Sequence, residues 1–231
     1  LSLNYGLRYE SQTNIHDFWN FSPHLGFAWV PGSKSRSSAR TVVRGGFAIF
    51  YQRFEEQNGL LAERFNGLNQ YQYTVSNPDT FPLIPTVLPA PTLTRRTVAS
   101  DLRAPYIAQG AFGIERQLPR KTTLALTWTG SHGVHMLRTR NINAPLPGTF
   151  TGVAGSGVFP YGPVGPIYQM ESAGLYDQNL FMANLNSRLN SKISLFGSYA
   201  WSRARSNTDG IMSSPADTYS LNGEYGSAGT D

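Results

Sequence analysis

Hydrophobic and polar residues alternate with a period of two along most of this chain. Leu1, Leu3, Tyr5, Leu7 and Tyr9 fall on one side of the opening segment, and Ser2, Asn4, Gly6, Arg8 and Glu10 on the other. Successive side chains of an extended backbone point to opposite faces, so the pattern predicts a strand over 1–10. It recurs at 22–30 (Leu25, Phe27, Trp29 against His24, Gly26, Ala28), at 40–51 (Val43, Phe47, Ile49, Tyr51 against Arg44, Gly46, Ala48) and at 121–132 (Leu124, Leu126, Trp128 against Thr123, Ala125, Thr127). Strands are also predicted at 178–189, at 192–203 and, with weaker alternation, at 106–117. Phe50 and Phe196 are the exceptions, apolar residues at polar positions.

Most of these strands run to about 9–12 residues, longer than the usual 5–6 of globular strands. At about 3.3 Å per residue and a tilt near 45°, ten residues climb roughly 23–25 Å, the height of the apolar band of an outer-membrane barrel. The connectors add an independent sign. Those at 11–21, 52–105 and 133–177 are long, whereas those at 31–39, 118–120 and 190–191 are shorter, and the two kinds alternate strictly. Barrels of this kind carry short turns on one rim and long loops on the other. The expected fold class is therefore all-β, an antiparallel up-and-down meander of about seven long strands that forms part of a transmembrane β-barrel. Loops 52–105 and 133–177 are expected to be extracellular, the first with a short helix near 54–65. The rival reading, a soluble carbohydrate-binding β-sandwich, would cover the same apolar face with a second sheet.

On this scaffold Tyr9, Tyr51, Tyr106, Trp128, Tyr199 and Trp201 approach the outer rim and Trp29 the inner one, the placement expected of a lipid-facing aromatic girdle. Arg8, Glu10, Arg44 and Glu115 fall on the polar face, where charges line a lumen rather than face lipid.

Composition narrows the chemistry. The 231 residues include 19 Lys+Arg and 14 Asp+Glu, a net charge of +5, and charged residues make up only 14% of the chain. With no cysteine, disulfides and thiol catalysis are excluded. No apolar run is long enough for a transmembrane helix, which leaves transmembrane strands untouched. His132 and His135 stand three apart, a spacing that on a strand points the rings to opposite faces, with no carboxylate or cysteine completing a metal set. Gly130-Ser131-His132-Gly133 places its would-be nucleophile and base on opposite faces too, so no catalytic, metal or cofactor site is expected, and no enzyme. The cations sit at turns or opposite the aromatics, which argues against nucleic acid. At an outer rim they would meet lipopolysaccharide phosphates.

Several strings resemble one family when taken in order: Leu3-Asn4-Tyr5-Gly6-Leu7-Arg8-Tyr9-Glu10, Phe21-Ser22-Pro23-His24-Leu25-Gly26-Phe27-Ala28-Trp29 and Val43-Arg44-Gly45-Gly46-Phe47-Ala48-Ile49-Phe50-Tyr51. They continue through Gly113-Ile114-Glu115-Arg116-Gln117-Leu118-Pro119, Gly130-Ser131-His132-Gly133-Val134-His135, Asn141-Ile142-Asn143, Ser198-Tyr199-Ala200-Trp201-Ser202 and Glu224-Tyr225-Gly226. Their order is similar to that in the barrels of TonB-dependent outer-membrane receptors, most of all the Oar-like branch. The resemblance implies a cell outer membrane location and a plugged barrel of about 22 strands. It implies contact with the TonB complex through a plug, and import of a bulky, unidentified extracellular ligand. No plug or TonB box is visible in 1–231, so the chain reads as an internal barrel stretch. An extracellular binding or adhesion surface without transport is the alternative.

Overall fold

A computed structural model of the chain describes residues 1–32, 40–74, 83, 87, 92–153 and 155–228. The expected connector at 31–39 and the Pro-rich stretch before position 92 thus lie largely outside the described residues.

Seven long strands carry the architecture: β1 (Ser2–Gln12), β2 (Asp17–Trp29), β3 (Thr41–Tyr51), β6 (Tyr106–Leu118), β7 (Thr122–Asn141), β8 (Ile167–Arg188) and β9 (Ser194–Ser206). Each pairs antiparallel with the next in the series, the meander that the alternation predicted. Register is set by the apolar face, because a slip of one residue would turn every side chain over. Leu3 faces Phe27, Phe27 faces Gly45, Gly45 faces Phe112, and the row continues through Trp128 and Phe181 to Trp201. Aromatic rings fill the gaps left by glycine: a Cβ on Gly45 would lie 2.5 Å from the Phe27 ring, and one on Gly130 would lie 2.9 Å from Trp128.

This apolar face has no second layer among the described residues. Leu3, Leu126 and Leu195 keep 63%, 37% and 53% of their surface exposed, where a sandwich would bury them. Phe50 and Phe196 stand exposed on the opposite face, as their phase requires.

At one end the strands are joined by tight turns. Arg120 and Lys121 take positive φ values of 59° and 51° to close β6 onto β7, the left-handed backbone that matches hairpin twist. The Asn190 side chain accepts hydrogen bonds from Lys192 N and Ile193 N, at 2.8 and 2.9 Å, between β8 and β9. Among the described residues the two large excursions, after β3 and after β7, leave from the other end, but β1 and β2 also meet there in a short turn over 13–16 and not through the long connector expected at 11–21.

Those excursions are more ordered than their sequence suggested. Segment 133–177 is not one loop: β7 continues to Asn141 and β8 begins at Ile167. The alternation fades at His132 because beyond that point neither face needs to be apolar, and bulges between Val134 and Arg138 break the period. Segment 52–105 holds the expected helix, α1 (Glu56–Arg64), and two strands that the pattern did not show, β4 (Gln72–Thr74) and β5 (Thr92–Val98). β5 pairs parallel with the start of β8, an exception to the otherwise antiparallel order, and β2 begins at Asp17 rather than at 22. A final two-residue strand, β10 (Gly226–Ser227), returns to β9.

The buried core lies at this end and not along the long strands. Ile15, Phe54, Ala62, Leu102, Ala104 and Met170 cluster there, drawn from the β1–β2 tip, the segment before α1, α1 itself, the segment before β6, and β8. The molecule therefore has a long sheet, apolar on one exposed face, capped at one end by a small packed dome.

Substituting arginine on the two faces tests this division. Leu126→Arg should cost about 2–4 kcal/mol of barrel stability in lipid, whereas Thr127→Arg, one residue on and on the other face, should cost far less. Urea titrations of vesicle-folded protein, followed by tryptophan fluorescence, would show the contrast; equal losses would refute it.

Candidate functional site

Polar side chains gather in three places: the polar face of the sheet, the border where the apolar face ends, and the dome.

On the polar face, Arg8 Nε lies 2.9 Å from Glu10 Oε1, two positions along one strand. Arg44 Nη2 lies 3.8 Å from Glu115 Oε2 across the β3–β6 pair. All four side chains emerge opposite the apolar row; the Arg44–Glu115 pair is solvent-accessible on both sides and tunes the surface potential more than it stabilises the fold, whereas Glu10 is largely covered beneath an exposed Arg8.

The aromatic residues of the apolar face form two groups. Tyr9 packs on Phe21, ring centroids 5.1 Å apart, and its hydroxyl donates to the Phe18 carbonyl at 2.7 Å. Tyr51 and Tyr106 are paired across β3 and β6 with centroids 5.3 Å apart. Trp128 lies opposite Phe181, which lies opposite Trp201, with Tyr199 one step inward. That second group stands lower in the register, since Tyr106 faces Val134, well beyond Trp128 on β7. Tilted strands carry such rows obliquely across a barrel wall. Trp29 faces Val43 near the end with the tight turns.

Outward of Trp128 the same face turns polar: Gly130, Asn179 and Arg203 form the next row, and His132, Asp177 and Arg205 the one after. Here His132 Nδ1 lies 2.6 Å from Asp177 Oδ1, and the Tyr225 hydroxyl donates to Asp177 Oδ2 at 2.6 Å. Burial pushes the Asp177 carboxyl upward, but the Tyr225 and His132 hydrogen bonds outweigh it and hold the carboxyl below its ordinary value. The Tyr225 phenol is raised, first by the bond to Asp177. Tyr225 thereby ties the segment after β9 to the sheet, helped by Tyr219, whose hydroxyl donates to the Ala144 carbonyl at 2.7 Å. His135 is turned elsewhere, edge-on to Tyr106 with centroids 5.7 Å apart. Its φ of 59° marks the bulge in β7. No group of three or more His, Asp or Glu among the described residues could hold a metal ion.

In the dome, Glu171 accepts from Arg138 Nε at 2.7 Å and from Arg140 Nε at 3.1 Å, and Arg138 is only 3% exposed. Nearby, Asn141 and Asn143 fold the β7–β8 connection. Asn141 Oδ1 accepts from Asn143 N and Ile167 N, both at 3.1 Å, while the buried Asn143 amide donates to the Gly162 and Gly165 carbonyls and accepts from Tyr161 N. Sequence reasoning missed the Arg138–Glu171–Arg140 cluster because its members come together only when β7 and β8 pair beyond the apolar face. The alternation of arginines at 138 and 140 was the available signal.

A family model described as an outer membrane beta barrel domain matches residues 15–231. Among solved structures, the outer membrane transporter YddB from Escherichia coli is similar in fold, with a TM-score of 0.61 at 14% identity. The siderophore receptor PirA from Pseudomonas aeruginosa gives a TM-score of 0.49 at 17% identity over 88% of this chain and 33% of that one. The match to the transporter covers 92% of this chain but 24% of the transporter, so the chain spans about a quarter of its length. No curated protein matches.

Two outcomes follow from the buried and border clusters. Glu171→Gln strips a buried arginine of its counter-charge, a loss of about 3–5 kcal/mol. It should raise amide hydrogen exchange in the outer halves of β7 and β8 while the inner halves stay protected; uniform protection would contradict the assignment. A carboxyl whose folded pKa lies below its unfolded value stabilises above the unfolded value, and that contribution is lost as pH falls through the folded one. The Tyr225 tether should accordingly hold at neutral pH and open in acid, and Asp177→Asn should abolish the pH dependence, as read by proteolysis of the segment after β9.

Proposed function

Because the chain belongs to the outer membrane β-barrel domain family and resides in the cell outer membrane, we propose that it forms part of the wall of a TonB-dependent receptor of the Oar-like branch. Its parent imports a bulky nutrient: ligand settles in the extracellular dome, and TonB, acting through a plug, opens the way inward. One observation carries this reading. Among the described residues, a long sheet that is apolar on one exposed face sends the excursions after β3 and β7 to the same end, where α1, β5 and the far ends of β7 and β8 build an ordered dome. A barrel that merely anchored itself would have no need of a built extracellular surface.

Within this reading, Tyr9, Trp29, Tyr51, Tyr106, Trp128, Tyr199 and Trp201 sit at the lipid borders, where amphipathic rings hydrogen-bond to headgroups. Arg8, Glu10, Arg44 and Glu115 line the lumen. Arg203 and Arg205, just outward of Trp201 on the apolar face, are placed for lipopolysaccharide phosphates. The work is recognition and passage rather than catalysis.

Growth competition tests the transport claim. A strain lacking the barrel and a strain lacking TonB should fail on the same nutrient source in a panel of carbon and iron sources. A defect confined to the barrel mutant, on a source that the TonB mutant still uses, would point instead to binding or adhesion without energised import.

A further inference from the structure

The small outer sheet formed by β4, β5 and the outer ends of β8 and β7 does not satisfy its own polar groups. Of the five buried side-chain polar atoms without a hydrogen-bond partner among the described residues, four lie on it: Gln72 Oε1, Arg96 Nε, Thr97 Oγ1 and Arg138 Nη1. Buried polar groups are ordinarily paired, and each orphan calls for an explanation such as a missing ion or ligand. Of these four, Gln72 Oε1 and Arg96 Nε belong to residues that line one cavity, whereas Thr97 and Arg138 do not.

The sheet also walls a cavity of about 500 Å³, bordered by Gln72, Thr92, Arg96, Thr139 and Tyr168. That is within the usual range of about 300–1,000 Å³ for small-molecule sites. Arg96 and Tyr168 face each other across the parallel β5–β8 pair, with the guanidinium carbon 6.0 Å from the ring centroid. Backbone bonds hold the arginine's strand firmly: Arg96 N donates to Phe65 O at 2.8 Å and Arg95 N to Pro166 O at 3.0 Å. Among the described residues Arg96 forms no ion pair, whereas Arg138 and Arg140 share Glu171. Arg95, the preceding residue, points to the other face of the strand, where its Nη1 donates to the Val164 carbonyl at 3.4 Å, so Arg96 is the cationic residue that lines the cavity.

We propose that this cavity binds a small, hydroxyl-rich carboxylate, with Arg96 as the anion anchor, the Tyr168 ring as a platform for the apolar side of the ligand, and Gln72, Thr92 and Thr139 as hydroxyl partners. The guanidinium fork matches a carboxylate through two parallel N–H bonds; the Gln72 amide and Thr92 hydroxyl can donate or accept toward a polyol, and Thr139, whose hydroxyl donates to the Ile211 carbonyl, can accept. Strands rather than free loops carry Arg96 and Tyr168, so the pair is set before ligand arrives. The inference deepens the receptor reading above, and names the class of cargo that the dome would capture.

Sugar acids and simple hydroxy acids share this chemistry. The test is isothermal titration of the detergent-purified barrel with digalacturonic acid, its neutral counterpart galactobiose, and citrate. Digalacturonic acid should bind more tightly than galactobiose. Arg96→Gln should weaken it about tenfold or more, as loss of a charge-assisted pair implies, with Arg96→Lys intermediate and Tyr168→Ala also impaired. Circular dichroism and heat-shifted gel mobility would verify that each variant is folded. Binding of citrate with the same Arg96 dependence, in place of digalacturonic acid, would support the site and assign its ligand to simple hydroxy acids. Equal affinity for the neutral disaccharide, affinity unchanged in Arg96→Gln, or no binding of any of the three would overturn the proposal. Shared growth defects of the barrel and TonB mutants would still leave the receptor reading standing in that event. Binding without such defects would spare this site and defeat the import reading instead.

Discussion

Hydrocarbon offers no water to the backbone, so every amide and carbonyl of a spanning segment must bond within the protein. For strands this means bonding to neighbours, and the neighbours must agree in register or the apolar face is broken. The seven long strands here meet that demand through one continuous ladder in which Leu3, Phe27, Phe112, Trp128, Phe181 and Trp201 share a row. Glycines at 45 and 130 let aromatic rings from the same or adjacent strands lie flat over the sheet. A face built this way has no need of a second layer, which is why the long strands contribute so little to the buried core.

The same constraint relaxes beyond the border. Once β7 and β8 pass His132 and Asp177, water and side chains can satisfy the backbone, and the chain is free to bulge, to turn polar on both faces and to accept a parallel partner. The dome exploits that freedom. Its apolar cluster is small and assembled from distant segments, and its polar interior is organised by Asn141, Asn143 and the Arg138–Glu171–Arg140 group. A dome of this kind holds a defined shape beyond the border of the apolar face.

Electrostatics divides along the same line. The Arg44–Glu115 pair is exposed and weak, and the Arg8–Glu10 pair is exposed on its arginine side. The Arg138–Glu171 contact is buried, and removing one partner would leave an uncompensated charge. The border cluster of His132, Asp177 and Tyr225 lies between these extremes, strong enough to fasten a segment and exposed enough to respond to pH.

Much of the fold was legible in the order of residues. Period two located all seven long strands and the phase of Leu126 against Thr127 separated the two faces, because lipid imposes a one-residue rule that writes itself directly into sequence; the alternation of connector lengths was a weaker guide, since β1 and β2 meet in a short turn over 13–16 where a long connector was expected. The helix expected near 54–65 was legible as well. The strands at Gln72–Thr74 and Thr92–Val98 were not, nor were the outer halves of β7 and β8. There the stabilising partners are distant in the chain, as when Arg95 meets Ile167 or Arg138 meets Glu171, and both faces carry polar residues, so no local period announces a strand. The chain order alone determined which side of each strand meets lipid; only the tertiary structure decided which polar groups would be brought together above it, since that depends on contacts spanning up to half the chain rather than on the alternation of neighbours.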